Sequence, residues 1–168
     1  TANLGQDVQG LKCGLVHELL YGEGISPEVR AAVEGAVKTL ESLGVTCEEV
    51  SLPHSEYSLP VYYIIAPAEC ASNLARYDGV RYGHRTAEPT SDVFEMFAKS
   101  RAEGFGPEVR LRIVKGTYVL SAGYYDAYYK RALQVRTLIK RDFERAYETY
   151  DFLLCPTSPT VAFQIGEK

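Results

Sequence analysis

An α/β fold is what this sequence predicts, and three stretches carry that reading. Residues 11–53 run from a short apolar segment through an amphipathic helical pattern into a second apolar segment. Helical periodicity, punctuated by Pro and Gly, fills the middle of the chain. Near the end DFLLCP (151–156) has the length and composition of a short buried strand. With 168 residues, 46% of them hydrophobic, the chain is large enough to bury a core without disulfide or metal staples.

LKCGLVH (11–17) reads as the first strand. The next segment opens with a helix-start signal. Ser26 is placed to accept a hydrogen bond from a free amide of the first turn, Pro27 fits the first helical position, and Glu28 complements the positive helix end. Val29, Ala32, Val33, Ala36, Val37, Leu40 and Leu43 recur on one face, and Gly44 supplies a left-handed stop. VTCEEVSLP (45–53) is the second strand, ended by Pro53. Strand, helix and strand with short joints predict a βαβ unit with parallel strands and a right-handed crossover.

Residues 56–77 predict a helix with Pro60 in its first turn and a kink at Pro67. Residues 78–91 read as loop. Ser91 is expected to cap a short helix over 92–102, and EGFGPEV (103–109) is a break with Pro107 near the next helix start. From Val109 to Tyr150 the pattern is helical, with Gly116 and Gly123 as expected bend points. Tyr125, Tyr128, Tyr129, Leu133, Leu138, Ile139 and Phe143 recur near the helical period and predict the packed face. DFLLCP is expected to be a central strand.

Net charge is −4, from 18 basic and 22 acidic residues, so the chain lacks the basic surplus of a main nucleic-acid grip. Cys13, Cys47, Cys70 and Cys155 are widely spaced in apolar contexts and read as reduced, buried thiols. Neither they nor His17, His54 and His84 show metal-ligand spacing. No run of about 18 apolar residues predicts a membrane span. TANLGQDVQG (1–10) reads as a linker without Met, and the final residues also read as loop, so both ends are expected to be cuts in a longer chain. Motifs for a nucleophile elbow, a phosphate loop, a dinucleotide fold or a zinc protease are absent. Residue chemistry alone stops at an α/β segment without a visible catalytic motif.

Three ordered stretches go further: NLARYDGVRYGHR (73–85), EGFGPEVRLRIVKGTYVLSAGYYDAYYKRALQVRTLIKRDFERAY (103–147) and YDFLLCPTSPT (150–160). They resemble the C-terminal half of the amidase signature family, whose fold is a mixed central sheet flanked by helices. ARYDGVRYG and SAGYYDAYY narrow the resemblance to the A subunits of glutamyl-tRNA(Gln)/aspartyl-tRNA(Asn) amidotransferases. That resemblance implies an enzyme that hydrolyses glutamine through a Ser–Ser–Lys machinery and a backbone oxyanion hole. The ammonia then passes to a B subunit that uses ATP and Mg; a C subunit completes the complex, and tRNA is met through the B subunit. It further implies a cytoplasmic protein of bacterial type, or one of an organellar matrix.

No Gly/Ser-rich loop of the kind that carries the two serines occurs in these residues. What the resemblance assigns to this segment is recognition. Arg112, preceding GTYVLSAGYYD, is expected to hold the glutamine α-carboxylate, because a planar guanidinium offers two parallel donors. Arg110 points elsewhere on the helix. Tyr63 is expected beside the glutamine pocket, and the acid for the glutamine amino group is expected beyond Lys168. Arg76, Asp78 and Arg81, with Tyr77 and Tyr82, form a loop that could touch a partner or frame the site; the plainer expectation is that Asp78 pairs with an arginine. Two other readings stay open: an amidase-signature hydrolase of another amide, and a non-catalytic α/β interaction module.

Overall fold

The computed structural model describes residues 5–167. They form two units, one comprising residues up to Glu56 and from Leu138 onward, the other Tyr57–Thr137.

The first unit holds β1 (Lys12–Val16), α1 (His17–Tyr21), α2 (Pro27–Ser42), β2 (Thr46–Val50), β3 (Phe152–Leu154) and the later part of α6 (Arg131–Ala146). The strands are ordered β2-β1-β3 and both pairings are parallel. Cys13 stands opposite Cys47 on one side and Phe152 on the other. The expectation of a βαβ start is met, but the central strand is β1. β3 lies at the edge of the three-stranded order, because four consecutive residues of β1, Cys13–Val16, are buried and both of its sides are paired.

Alternation along β1 distributes the core over both faces of the sheet. Cys13 and Leu15 join Val45 and pack against Val37 and Leu40 of α2. Val16 joins Leu52 and Ala146 and packs with Phe143 and Tyr150. Val16 and Leu52 are each only 1% exposed, and burying such a side chain stabilises the fold by about 1.5–3 kcal/mol. On this second face Gly14 leaves no room for a side chain, since a Cβ there would stand 2.6 Å from Leu153 Cδ2.

Helix α2 begins as its sequence dictates: Ser26 Oγ accepts from the Val29 N–H, and Pro27 is the first helical residue. Gly44 follows the helix with φ +85°. The inward face is narrower than expected. Val29, Val33, Val37 and Leu40 are half-buried, whereas Ala32, Ala36 and Leu43 are exposed. Residues 1–4 of the expected linker lie outside the described residues. Within the remainder, Val8 packs on the α2-side core and Gly10 donates its N–H to the Gly44 carbonyl.

The second unit contains α3 (Ser58–Leu74), α4 (Val93–Gly104), α5 (Pro107–Val119), a π-helical segment (Tyr125–Lys130) and the first residues of α6. α3 runs on through Pro67, which lacks the N–H that would serve the carbonyl four residues back. α3 and α5 pack closely at one point. A Cβ at Gly116 would collide with the Pro67 carbonyl and stand 2.8 Å from the Ala71 Cβ. Gly116 therefore lies inside α5 as a contact residue.

Two further expectations are corrected here. The N-cap of α4 is Asp92, whose side chain accepts from the Glu95 N–H. Ser91 instead donates its backbone and hydroxyl groups to the Glu95 carboxylate at 2.6 and 2.7 Å. And the long helical stretch is broken once, by turn residues 120–124 in which Gly123 takes φ +87°, after which the π-helical segment runs directly into α6. Tyr125, Tyr128 and Leu138, expected on the packed face, are exposed. On α6 the buried positions are Ala132, Asp142 and Ala146, flanked by half-buried Leu133, Val135, Ile139 and Phe143.

Candidate functional site

Pro107 starts α5, and five positions on, Arg112 projects from its second turn with 36% of its side chain exposed. The guanidinium is oriented from two directions. Nε donates to Glu108 Oε1 one turn earlier (2.9 Å), and Nη1 donates to the Tyr62 hydroxyl of α3 (2.9 Å). The Tyr62 hydroxyl, followed by the Glu108 carboxylate, raises the pKa of Arg112 above its ordinary value, so the group is a fixed cation. Arg110, two residues back and about 200° around the helix, is exposed.

The geometry suits capture of a carboxylate. Glu108 is 68% exposed and only one helical turn from Arg112, and exposed pairs of that spacing contribute about 0.3–0.5 kcal/mol. A ligand carboxylate offering two parallel acceptors would displace it at small cost. Tyr62 meanwhile keeps Nη1 and the arginine plane in place.

Tyr63, the tyrosine singled out in the sequence, stacks edge-on against Tyr62 with ring centroids 5.4 Å apart and is 57% exposed. It is the neighbour of the residue that reaches Arg112. Sequence reasoning missed Tyr62 because two adjacent tyrosines look alike in an apolar run. No local signal separates them; the choice follows from the packing register of α3 on α5, in which Pro67 meets Gly116 and Tyr62 and Arg112 lie five and four positions before that contact.

The Arg76–Arg85 loop is built separately. Asp78 Oδ1 accepts from the Val80 N–H at 2.8 Å, and among the described residues it pairs with no arginine, contrary to expectation. Arg76, Asp78, Arg81 and Tyr82 line one hollow of about 420 Å³; Asn73, Leu74, Arg76, Tyr77 and Tyr82 line another of about 370 Å³. The three histidines each face one carboxylate: His17 Nδ1 with Glu49 (3.0 Å), His54 Nδ1 with Asp142 (2.9 Å) and His84 Nε2 with Glu103 (2.6 Å). Among the described residues no cluster of three or more His, Cys, Asp or Glu could hold a metal ion, and no helix is long and apolar enough to cross a membrane.

The family model for amidases matches residues 1–168, the full chain. The chain belongs to the amidase family. Its relatives include the A subunit of glutamyl-tRNA(Gln) amidotransferase from Carboxydothermus hydrogenoformans, 64% identical over 98% of this chain and 34% of that protein. The protein of the same name from Heliobacterium modesticaldum is 59% identical over 100% of this chain and 34% of its own length. Among solved structures, the Thermotoga maritima protein of that name superposes with a TM-score of 0.66 at 38% identity, covering 99% of this chain and 31% of that one. A crystal structure of an amidase matches with a TM-score of 0.67 at 26% identity, over 96% of this chain and 31% of that one.

This amidase chain thus spans about a third of the length of the curated relatives it matches. The α/β architecture expected from the sequence stands, with its small parallel sheet flanked by helices in the manner of amidase signature enzymes.

Proposed function

We propose that this amidase chain is part of the glutamine-hydrolysing subunit of a tRNA-dependent amidotransferase, and that its share of the chemistry is recognition of glutamine. The observation that carries the reading is Arg112, a fixed cation held between Tyr62 and an exchangeable Glu108. Glutamine presents an α-carboxylate that needs such a partner, whereas a simple amide does not. The nucleophilic serine and its lysine base belong to the rest of the whole protein. Ammonia released there serves conversion of Glu-tRNA(Gln), Asp-tRNA(Asn) or both, in a cytoplasmic complex with B and C subunits in which ATP and Mg act at the B subunit. Relatives named as amidotransferase A subunits, at 55–64% identity, support this over a hydrolase of another amide.

The test is steady-state glutaminase kinetics on the full-length protein. Arg112→Ala is expected to raise KM for glutamine by about tenfold or more, matching loss of a charge-assisted pair, with a smaller change in kcat. Arg112→Lys restores charge without the planar fork and is expected to recover only part of the loss. An unchanged KM in the alanine variant would remove Arg112 from the site.

A further inference from the structure

The loop Arg76–Arg85 carries three arginines and one aspartate on a chain whose net charge is −4, and its fold is set from beneath. Arg101 of α4 donates through Nη1 to the carbonyls of Leu74 (2.8 Å) and Tyr77 (2.9 Å), clamping the start of the loop. At its end Thr86 donates its N–H to the buried Ser100 Oγ (3.1 Å) and its hydroxyl to Glu103 (2.7 Å), which also holds His84. Between these anchors Gly79 and Gly83 take φ +82° and +79°, and Gly79 lies too close to Ser100 to admit a side chain. The backbone is thereby fixed by its own contacts. Arg76 and Arg81 contribute nothing to that frame: both are exposed, and among the described residues neither makes a hydrogen bond or ion pair.

Two guanidinium groups left unpaired on a pre-ordered loop, lining one shared hollow, form a receptor for carboxylates. Asp78 lines the same hollow, its Oδ1 accepting from the Val80 N–H, and among the described residues it pairs with neither arginine, so two guanidinium groups face one carboxylate there. We infer that this loop is a docking surface for an acidic segment of a partner subunit, whose Asp or Glu side chains enter the hollow lined by Arg76, Arg81 and Tyr82. Pre-ordering lowers the entropy cost of association, and Arg and Tyr are the residue types that dominate protein interfaces. A nucleic-acid strand fits less well. The loop holds three of the 18 basic residues of a chain whose net charge is −4, and three arginines within ten residues are shorter than the basic stripe that phosphate tracking needs. The rings also offer no slot for a base: Tyr77 and Tyr82 lean on each other at 43° with centroids 6.0 Å apart, and Tyr77 leans on Phe105 as well.

The inference rests on the amidotransferase reading and identifies the contact that the reading leaves open. Its test uses the full-length protein with purified B and C subunits from the same organism, measuring binding by analytical ultracentrifugation at low and high salt. Wild type is expected to bind more weakly as salt rises. Arg76→Glu/Arg81→Glu is expected to bind at least about tenfold more weakly and to lose most of that salt dependence. The milder Arg76→Gln/Arg81→Gln pair covers the case in which the reversal fails to fold; circular dichroism verifies both. Variants that bind their partners as tightly as wild type would overturn the docking surface and leave the amidotransferase reading standing. Wild type failing to bind the B and C subunits would overturn both. A parallel titration with bulk tRNA that loses affinity in the variants, while their binding to the partner subunits holds, would reassign the loop to nucleic acid.

Discussion

Asp142 is the most constrained acid in the structure. Its side chain is 3% exposed, accepts from the His54 backbone N–H at 2.8 Å and faces the His54 ring at 2.9 Å. Removing it leaves the part-buried His54 N–H without its partner, which costs more than the bond itself contributes. Asp142→Ala is expected to lower stability by about 2–3 kcal/mol in urea denaturation, and Asp142→Asn by less, because the amide oxygen still accepts. Glu95 is a different case, exposed but surrounded by donors. The Ser91 N–H and hydroxyl, then Lys99, lower its pKa from 4.5 to about 2. A carboxylate depressed on folding stabilises the fold fully above its ordinary pKa of 4.5, and the contribution is lost as pH falls toward 2. Denaturation of wild type and Glu95→Gln between pH 5 and pH 2 checks this: the difference between them should shrink across that window. The cysteines separate in the same way. Burial, with Cys47 alongside, raises Cys13 to about 11, whereas Cys155 is exposed. Iodoacetamide at pH 8 should label Cys155 first and leave Cys13 unmodified until unfolding, read by mass spectrometry.

At the scale of elements, legibility followed how local the deciding interaction is. Ser26, Pro27 and Gly44 mark α2 within a few residues of where their effects occur, so its ends could be read directly. The cap of α4 was displaced by one residue because Ser91 and Asp92 offer two capping side chains in succession; Asp92 takes the cap and Ser91 turns to Glu95. The tyrosine run misled for a physical reason. Spacings of three and four suit a core stripe, yet the turn at 120–124 rotates the following segment, and the rings pack chiefly on one another. Tyr118 lies 4.3 Å from Tyr124, and Tyr124 stacks on Tyr128 at 5.8 Å. Tyr129 alone reaches across, donating to Glu69 at 2.9 Å. Gly116 was legible as special but not as to why, since its partner is a carbonyl 49 positions earlier. Gly116→Ala would force α3 and α5 apart. It is expected to destabilise the protein by about 1–3 kcal/mol or more, measurable as a fall in Tm, whereas Gly35→Ala on the open face of α2 should do no harm.

The whole molecule was legible as α/β and as a relative of amidases, and it was illegible where distant segments meet. Nothing in DFLLCP states that it pairs at the edge of β1, and nothing in VYYIIAP states which tyrosine reaches Arg112. The surface also carries apolar groups that composition does not reveal. Leu111, Val114 and Tyr118 follow one another along α5 at helical spacing and are all exposed, Val114 to 66%. Outside β2 and β3 no further strand pairs among the described residues. The isolated chain is therefore expected to self-associate as its concentration rises. Light scattering checks it, with Val114→Glu expected to lower the apparent mass; a monomer at high concentration would contradict it.

The contact between Gly116 and the Pro67 carbonyl has a mechanical side. It is a notch with one key. Sliding α5 by a single residue would present Lys115 or Thr117 to that carbonyl, and neither fits where a bare methylene is the limit. The same slide would carry Arg112 about 1.5 Å along the axis and about 100° around it, off the Tyr62 hydroxyl. A glycine with no chemistry of its own thus sets the tolerance to which the guanidinium is aimed.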